Sequence, residues 1–300
     1  MAGVGVTARG LGLEGPRGWA FRGVSFEAEP GALIAVEGPS GSGRTCLLLA
    51  LTGRMRPTEG SATVGGAALP KRLAAARRVS ALAHVPGVTD LDPSLTVGEH
   101  LHERALLQRR FGGPLRGLLR PRGERVAGTR ERIERALAAA GLDRDALPKG
   151  ARTAVRDLER VEALRLSVAL ALIGEPGLLG VDDTDLKLSD PERAEVWALL
   201  ASIAEAGTTV VAVCSEAPEG ARVVSTTARD DEPAGDTDAD DPKDTDDPKD
   251  ADDPKDTDDP KDEDDPKDAD DEPAGDEDDP RDADDVKEGA DDAFAEAGRA

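Results

Sequence analysis

Eight consecutive residues, Gly38, Pro39, Ser40, Gly41, Ser42, Gly43, Arg44 and Thr45, carry the clearest chemistry in the chain. They fit the phosphate-loop template of Gly, four residues, Gly, Lys, then Ser or Thr, except that Arg44 stands where the template has lysine. Gly38, Gly41 and Gly43 let the backbone turn tightly, so that successive N–H groups point at phosphate oxygens. Thr45 offers a hydroxyl to Mg²⁺. Arg44 keeps the positive charge but is planar and fork-shaped, so the exchange changes the geometry of any phosphate contact. A Gly/Ser-rich turn without a ligand is the plainer alternative. The flanks argue against it: residues 32–36 read as a buried strand, and residues 46–51 as a helix whose positive dipole end faces the phosphates. Asp182 and Asp183 close a second apolar run, residues 178–181. They also suit a plain strand end, but their order behind the loop points Asp182 at Mg²⁺.

The elements that must position these residues occupy only part of the 300-residue chain. Residues 230–300 hold 35 acidic and 8 basic side chains, a net charge of −27 against −24 for the whole chain. The acidic balance therefore belongs to the tail, and residues 1–229 are slightly basic. Five hexads of the form Asp-Asp-Pro-Lys-Asp plus one variable residue fill 240–269. A proline in every hexad prevents a stable helix or ladder, and almost nothing apolar is left to bury. The expected division is a nucleotide-binding domain over 1–228 and a disordered acidic tail over 229–300 that acts mainly in solvation.

Residues 1–37 read as an antiparallel sheet leading into the loop strand. Helical periodicity is predicted over 44–53, 96–111, 128–140, 155–173 and 190–205, with a loop or insertion over 112–123. Candidate strands are 61–64, 80–85, 177–181 and 208–213. Strands alternating with helices predict an α/β fold: a P-loop NTPase core with an antiparallel β subdomain and a helical subdomain. The longest apolar stretch, 164–181, is broken by Arg165 and by Gly174-Glu175-Pro176-Gly177, so no direct membrane insertion is expected. Cys46 and Cys214 sit in apolar segments and read as free thiols. His84, His100 and His102 form no ligand set with them. Ten arginines lie between Arg104 and Arg135. They alternate with leucines at helical spacing and lack stacking aromatics, which favours a solvated face over nucleic-acid binding.

From the loop onward the order of segments resembles the ATP-binding subunit of ABC transporters, over about residues 10–226. Pro30-Gly31 precedes the loop strand, and Ser-Leu-Thr-Val-Gly-Glu-His-Leu at 94–101 resembles the stretch after the family's Q-loop. Residues 158–176 align without a gap to the signature motif and its helix. Residues 178–183 resemble the Walker B strand, and 208–214 the strand before the switch histidine. This resemblance implies ATP and Mg²⁺ as cofactors, with Asp182 on the metal. It places Asp183 at the glutamate that handles the attacking water, Ser215 at the switch histidine and Gly87 at the Q-loop glutamine. The signature Leu-Ser-Gly-Gly-Gln becomes Leu158-Glu159-Arg160-Val161-Glu162, and the D-loop aspartate becomes Ser189. Trp19 lies near the adenine-stacking position but is expected to pack rather than stack.

The same resemblance implies a membrane-spanning transporter protein as partner, a homo- or hetero-dimer, and a cytoplasmic place at the inner face of the membrane. Hydrolysis is mostly positioning and charge stabilisation. With lysine, glutamine, glutamate, histidine and signature all replaced, the expectation is binding of Mg-ATP with weak hydrolysis. The alternative is a non-hydrolysing, ATP-gated scaffold or regulatory protein of the same fold. A P-loop enzyme unrelated to transport is disfavoured by the segment order.

Overall fold

A computed structural model describes residues 2–111, 122–185 and 187–227. The acidic tail and most of the anticipated 112–123 loop lie outside them. Two sheets organise the rest. β1 (Val6–Gly15), β2 (Gly18–Ala28), β4 (Glu59–Val64) and β5 (Ala67–Leu69) form an antiparallel sheet in the order β2-β1-β4-β5. β3 (Leu33–Glu37), β6 (Ser80–Ala83), β7 (Leu178–Val181), β8 (Thr209–Cys214) and β9 (Arg222–Ser225) form a parallel sheet in the order β6-β7-β8-β3-β9. The predicted N-terminal sheet is therefore β1 and β2, whereas β3 belongs to the parallel core through β8 and β9.

The parallel strands β7 and β8 are buried at every position, which is why they read as unbroken apolar runs. α1 (Arg44–Leu51) seats Leu47, Leu48 and Leu51 fully buried between the two sheets. Each such leucine contributes about 1.5–3 kcal/mol over exposure. The opposite face of the parallel sheet is covered by α5 (Arg160–Leu172) and α6 (Asp190–Glu205), with Leu166, Leu172, Val196 and Leu200 in a second core. α3 (Val97–Phe111) and α4 (Arg122–Ala139) pack on α5 as the helical subdomain.

Five elements differ from the sequence expectation. The helix anticipated over 155–173 starts only at Arg160, because Val155–Asp157 is a separate 3-10 turn and Glu159 takes extended backbone as the cap. α4 begins at Arg122, earlier than 128. α2 (Leu73–Val79), β5 and β9 were not anticipated. All three are short, and β9 shows only Val224 buried, so periodicity is weak in each.

Candidate functional site

The phosphate loop joins β3 to α1, so its backbone donors sit at the head of a helix. Glycine at 43 is required twice. Its φ is +80°, and an added Cβ would lie 2.0 Å from the Ala20 carbonyl oxygen on β2. The antiparallel sheet therefore backs the loop. At its other side Ser42 Oγ and Thr226 Oγ1 share a hydrogen bond of 2.7 Å, which ties the loop to the end of β9.

Thr45 Oγ1 donates to Asp182 Oδ2 at 2.7 Å, bringing the first turn of α1 to the end of β7. Asp182 is 2% exposed. Burial pushes its carboxyl above the usual range, the Thr45 hydroxyl pulls it down, and neighbouring Asp183 pushes it up again. The Asp183 backbone N–H donates to Asp182 Oδ1 at 2.9 Å, with Asp183 itself at φ +46°. A hydroxyl and a buried carboxylate oxygen side by side are the hard donors that Mg²⁺ takes together with phosphate oxygens. The glycine cradle leaves backbone room beside them. These residues fit an Mg-nucleotide, Thr45 and Asp182 on the metal side and the loop on the phosphates.

Arg44 does not point back along its own loop. Its Nη1 donates to the carbonyl oxygen of Cys214 at the end of β8. Cys214 is fully buried, and burial together with Asp185 and Glu37 pushes its thiol up to about 12. Next to it, both the backbone N–H and the hydroxyl of Ser215 donate to the Asp185 carboxylate, the N–H at 2.6 Å. Thr184 Oγ1 donates to the Val213 carbonyl at 2.9 Å and its N–H to the same oxygen at 3.1 Å. The ends of β7 and β8 are thus stapled twice, by Thr184 and by Asp185. Sequence reasoning missed both residues. Their partners lie about thirty positions away, and no spacing announces such a contact.

The other aligned positions depart from phosphate chemistry. Gly87 has φ +75° with open space beside it, and its N–H donates to Asp90 Oδ2 at 2.8 Å. At the head of α5, Glu162 Oε2 accepts the Glu159 N–H at 2.9 Å. A carboxylate therefore already occupies a helix start that a signature motif offers to phosphate. Ser189 heads α6 in the same manner, with its N–H and hydroxyl donating to Glu192 at 2.7 and 2.6 Å. Trp19 is 42% exposed and lies under the Arg22 guanidinium, 4.5 Å from its ring centroid. Arg22 in turn pairs with Glu59 at 2.9 Å.

A parallel β-loop-α core with this loop, backed by an antiparallel sheet and flanked by a helical subdomain, defines a P-loop nucleotide-binding cassette. The family model "ABC transporter" matches residues 21–185, more than half of the chain, and the chain belongs to that family. The Nod factor export ATP-binding protein I of Cupriavidus metallidurans is 33% identical over 189 residues, 63% of this chain and 55% of that protein. The cytochrome c biogenesis ATP-binding export protein CcmA of Cupriavidus necator is 35% identical over 175 residues, 57% of this chain and 69% of that protein. The chain spans about half the length of the Nod factor relatives it matches. Among solved structures, cbiO1 from Clostridium perfringens gives a TM-score of 0.56 at 18% identity, covering 70% of this chain and 78% of that one. A dimeric cassette bound to ADP and phosphate gives 0.54 at 23%, covering 70% and 88%. At such identities the structures bear on the fold alone.

Proposed function

We propose that the chain is the ATP-binding subunit of an ABC-type transporter, binding Mg-ATP at Gly38–Thr45 and hydrolysing it weakly. The observation that carries this is the Thr45–Asp182 contact of 2.7 Å at the head of the glycine loop. The loop would orient the phosphates through backbone N–H groups, and Thr45 and Asp182 would hold the metal. Mg²⁺ would supply screening of the phosphate charge. Asp183 is the carboxylate next to the site that is free to accept a proton from water. Ser215 is engaged by Asp185 and has no imidazole reach. The relatives named above are export ATP-binding proteins, which supports a membrane-spanning partner; a homo- or hetero-dimer is implied by the family resemblance alone. No helix among the described residues is long and apolar enough to cross a membrane, which suits a subunit at the cytoplasmic face held there by its partner.

A second reading, an ATP-gated scaffold without turnover, is favoured by one observation: the Glu162 carboxylate sits on the head of α5 where a facing phosphate would be repelled. One experiment separates the two. Nucleotide binding with and without Mg²⁺ is titrated beside a steady-state ATPase assay. Mg-dependent binding with slow turnover supports the transporter subunit, binding with none the scaffold. Affinity indifferent to Mg²⁺ removes both.

A further inference from the structure

The phosphate loop is tied down on two sides. Thr45 holds the metal side through Asp182. On the other side Ser42 is fixed twice: its N–H donates to the Pro39 carbonyl at 3.2 Å, and its hydroxyl shares the 2.7 Å bond with Thr226 Oγ1. The corner is tight. A Cβ added at Gly38 would lie 2.7 Å from Ser42 Oγ and 3.1 Å from Thr226 Oγ1, so glycine at 38 is what lets the two hydroxyls meet.

β9 brings Thr226 there. It pairs in parallel with β3, the strand that launches the loop, in a register that sets Ser225 opposite Glu37 and so carries residue 226 to residue 38. Just past the strand, Ser225 Oγ accepts the Thr227 N–H at 3.2 Å and shares a 2.7 Å bond with Thr227 Oγ1. Burial alternates along 223–227: Val224 and Thr226 are buried, whereas Val223, Ser225 and Thr227 are exposed. An inward position of such a strand suits an apolar side chain. Thr226 is 4% exposed, and burying its hydroxyl without a partner would cost free energy that valine, of nearly the same shape, would not. The partner that offsets this cost is a residue of the phosphate loop.

We propose that Thr226 is a positioning residue for nucleotide phosphate: its hydroxyl fixes Ser42 before the ligand arrives, and with it the directions of the loop N–H groups on either side. The inference rests on the nucleotide reading of the loop. Thr226 acts through Ser42 rather than on the ligand. A loop already held in its binding shape does not lose that freedom again when phosphate binds, so the bond is felt as affinity. The pair is also neutral. It holds the loop without setting a negative charge beside the phosphates, as a carboxylate at 226 would.

The test is calorimetric titration of Mg-ADP and Mg-ATP into the full chain and into T226V, T226S, S42A and S42A/T226V, with the melting temperature of each free protein measured in the same preparations. T226V is expected to bind about fivefold or more weakly, the scale of one net hydrogen bond, without a fall in melting temperature. T226S keeps the hydroxyl and is expected to bind close to the parent. S42A should lose about as much as T226V, and the double variant no more than either, because both changes remove the same bond. Parental affinity in T226V, or losses that add in full in the double variant, overturn the proposal. So does a loss that T226S fails to recover, since that marks packing rather than the hydroxyl. Ser42 is only half-buried, so S42A carries the test alone if T226V does not fold: an equivalent loss there supports the proposal, and unchanged affinity ends it. A parent that binds no Mg-nucleotide strikes the loop reading and this inference together, whereas unchanged affinity in both single variants strikes only Thr226.

Discussion

The loop side and the water side of this site are built to different standards. On the loop side, Gly43, Thr45 and Asp182 sit in contacts that tolerate little change: a carbonyl 2.0 Å from any added Cβ, and a 2.7 Å hydroxyl–carboxylate pair. On the water side, Gly87 has no side chain, Ser215 is turned to Asp185, and the head of α5 is held by its own Glu162. Cradling phosphate needs backbone geometry and a metal pair, and both fit in a few residues. Activating water needs several long side chains converging on one point, and the positions that the resemblance aligns with them hold Gly87, Asp183 and Ser215, each short. A site stripped of reach loses turnover before it loses affinity.

The largest expected effect lies on the loop side. Gly43→Ala forces a left-handed φ on a residue with a Cβ and drives that Cβ into Ala20. It should abolish nucleotide binding and destabilise the fold by about 1–3 kcal/mol, read by titration and thermal melting. Retained binding would show that the loop is not what it resembles. Next comes the water side. The unmodified protein should turn ATP over barely above background, and Arg44→Lys, Asp183→Glu and Ser215→His combined should raise the rate about 10²-fold, more than any single change. Robust turnover by the parent, lost in Asp183→Asn, would erase the contrast between the two sides. A smaller effect is expected for Arg44→Ala, which should weaken Mg-ATP by about 1–3 kcal/mol in calorimetry. No loss would mean that Arg44 stays with the Cys214 carbonyl when nucleotide binds. The smallest is deletion of residues 230–300, expected to leave both melting temperature and nucleotide affinity unchanged, since the composition of that segment leaves almost nothing apolar to bury. A drop in either would refute the proposed division of the chain.

The phosphate loop's strand and helix, the core strands and α6 were legible because local pattern and tertiary role agree there; the Ser189–Glu192 capping pair at the head of α6 is added by the structure. Asp182 was singled out by its order behind the loop, and the structure brings it to Thr45. The short elements α2, β5 and β9 were not, since their place is decided by neighbours far along the chain. Arg44 shows the limit most clearly. Its type and position were plain, but its direction, toward Cys214, depends on β8, which lies 170 residues on. Likewise nothing local marks Thr184 and Asp185 as ties between strand ends, or Thr226 as the partner of Ser42.

The Asp185 contact also constrains the mutational paths open to this protein. Replacing Ser215 removes the hydroxyl donor to that carboxylate, leaves the backbone N–H in place, and sets the new side chain beside it. A single step toward histidine thus begins with a penalty, and the benefit waits on Asp183. Any change at 215 is therefore read together with Asp185, since the two residues share one hydrogen-bonded corner.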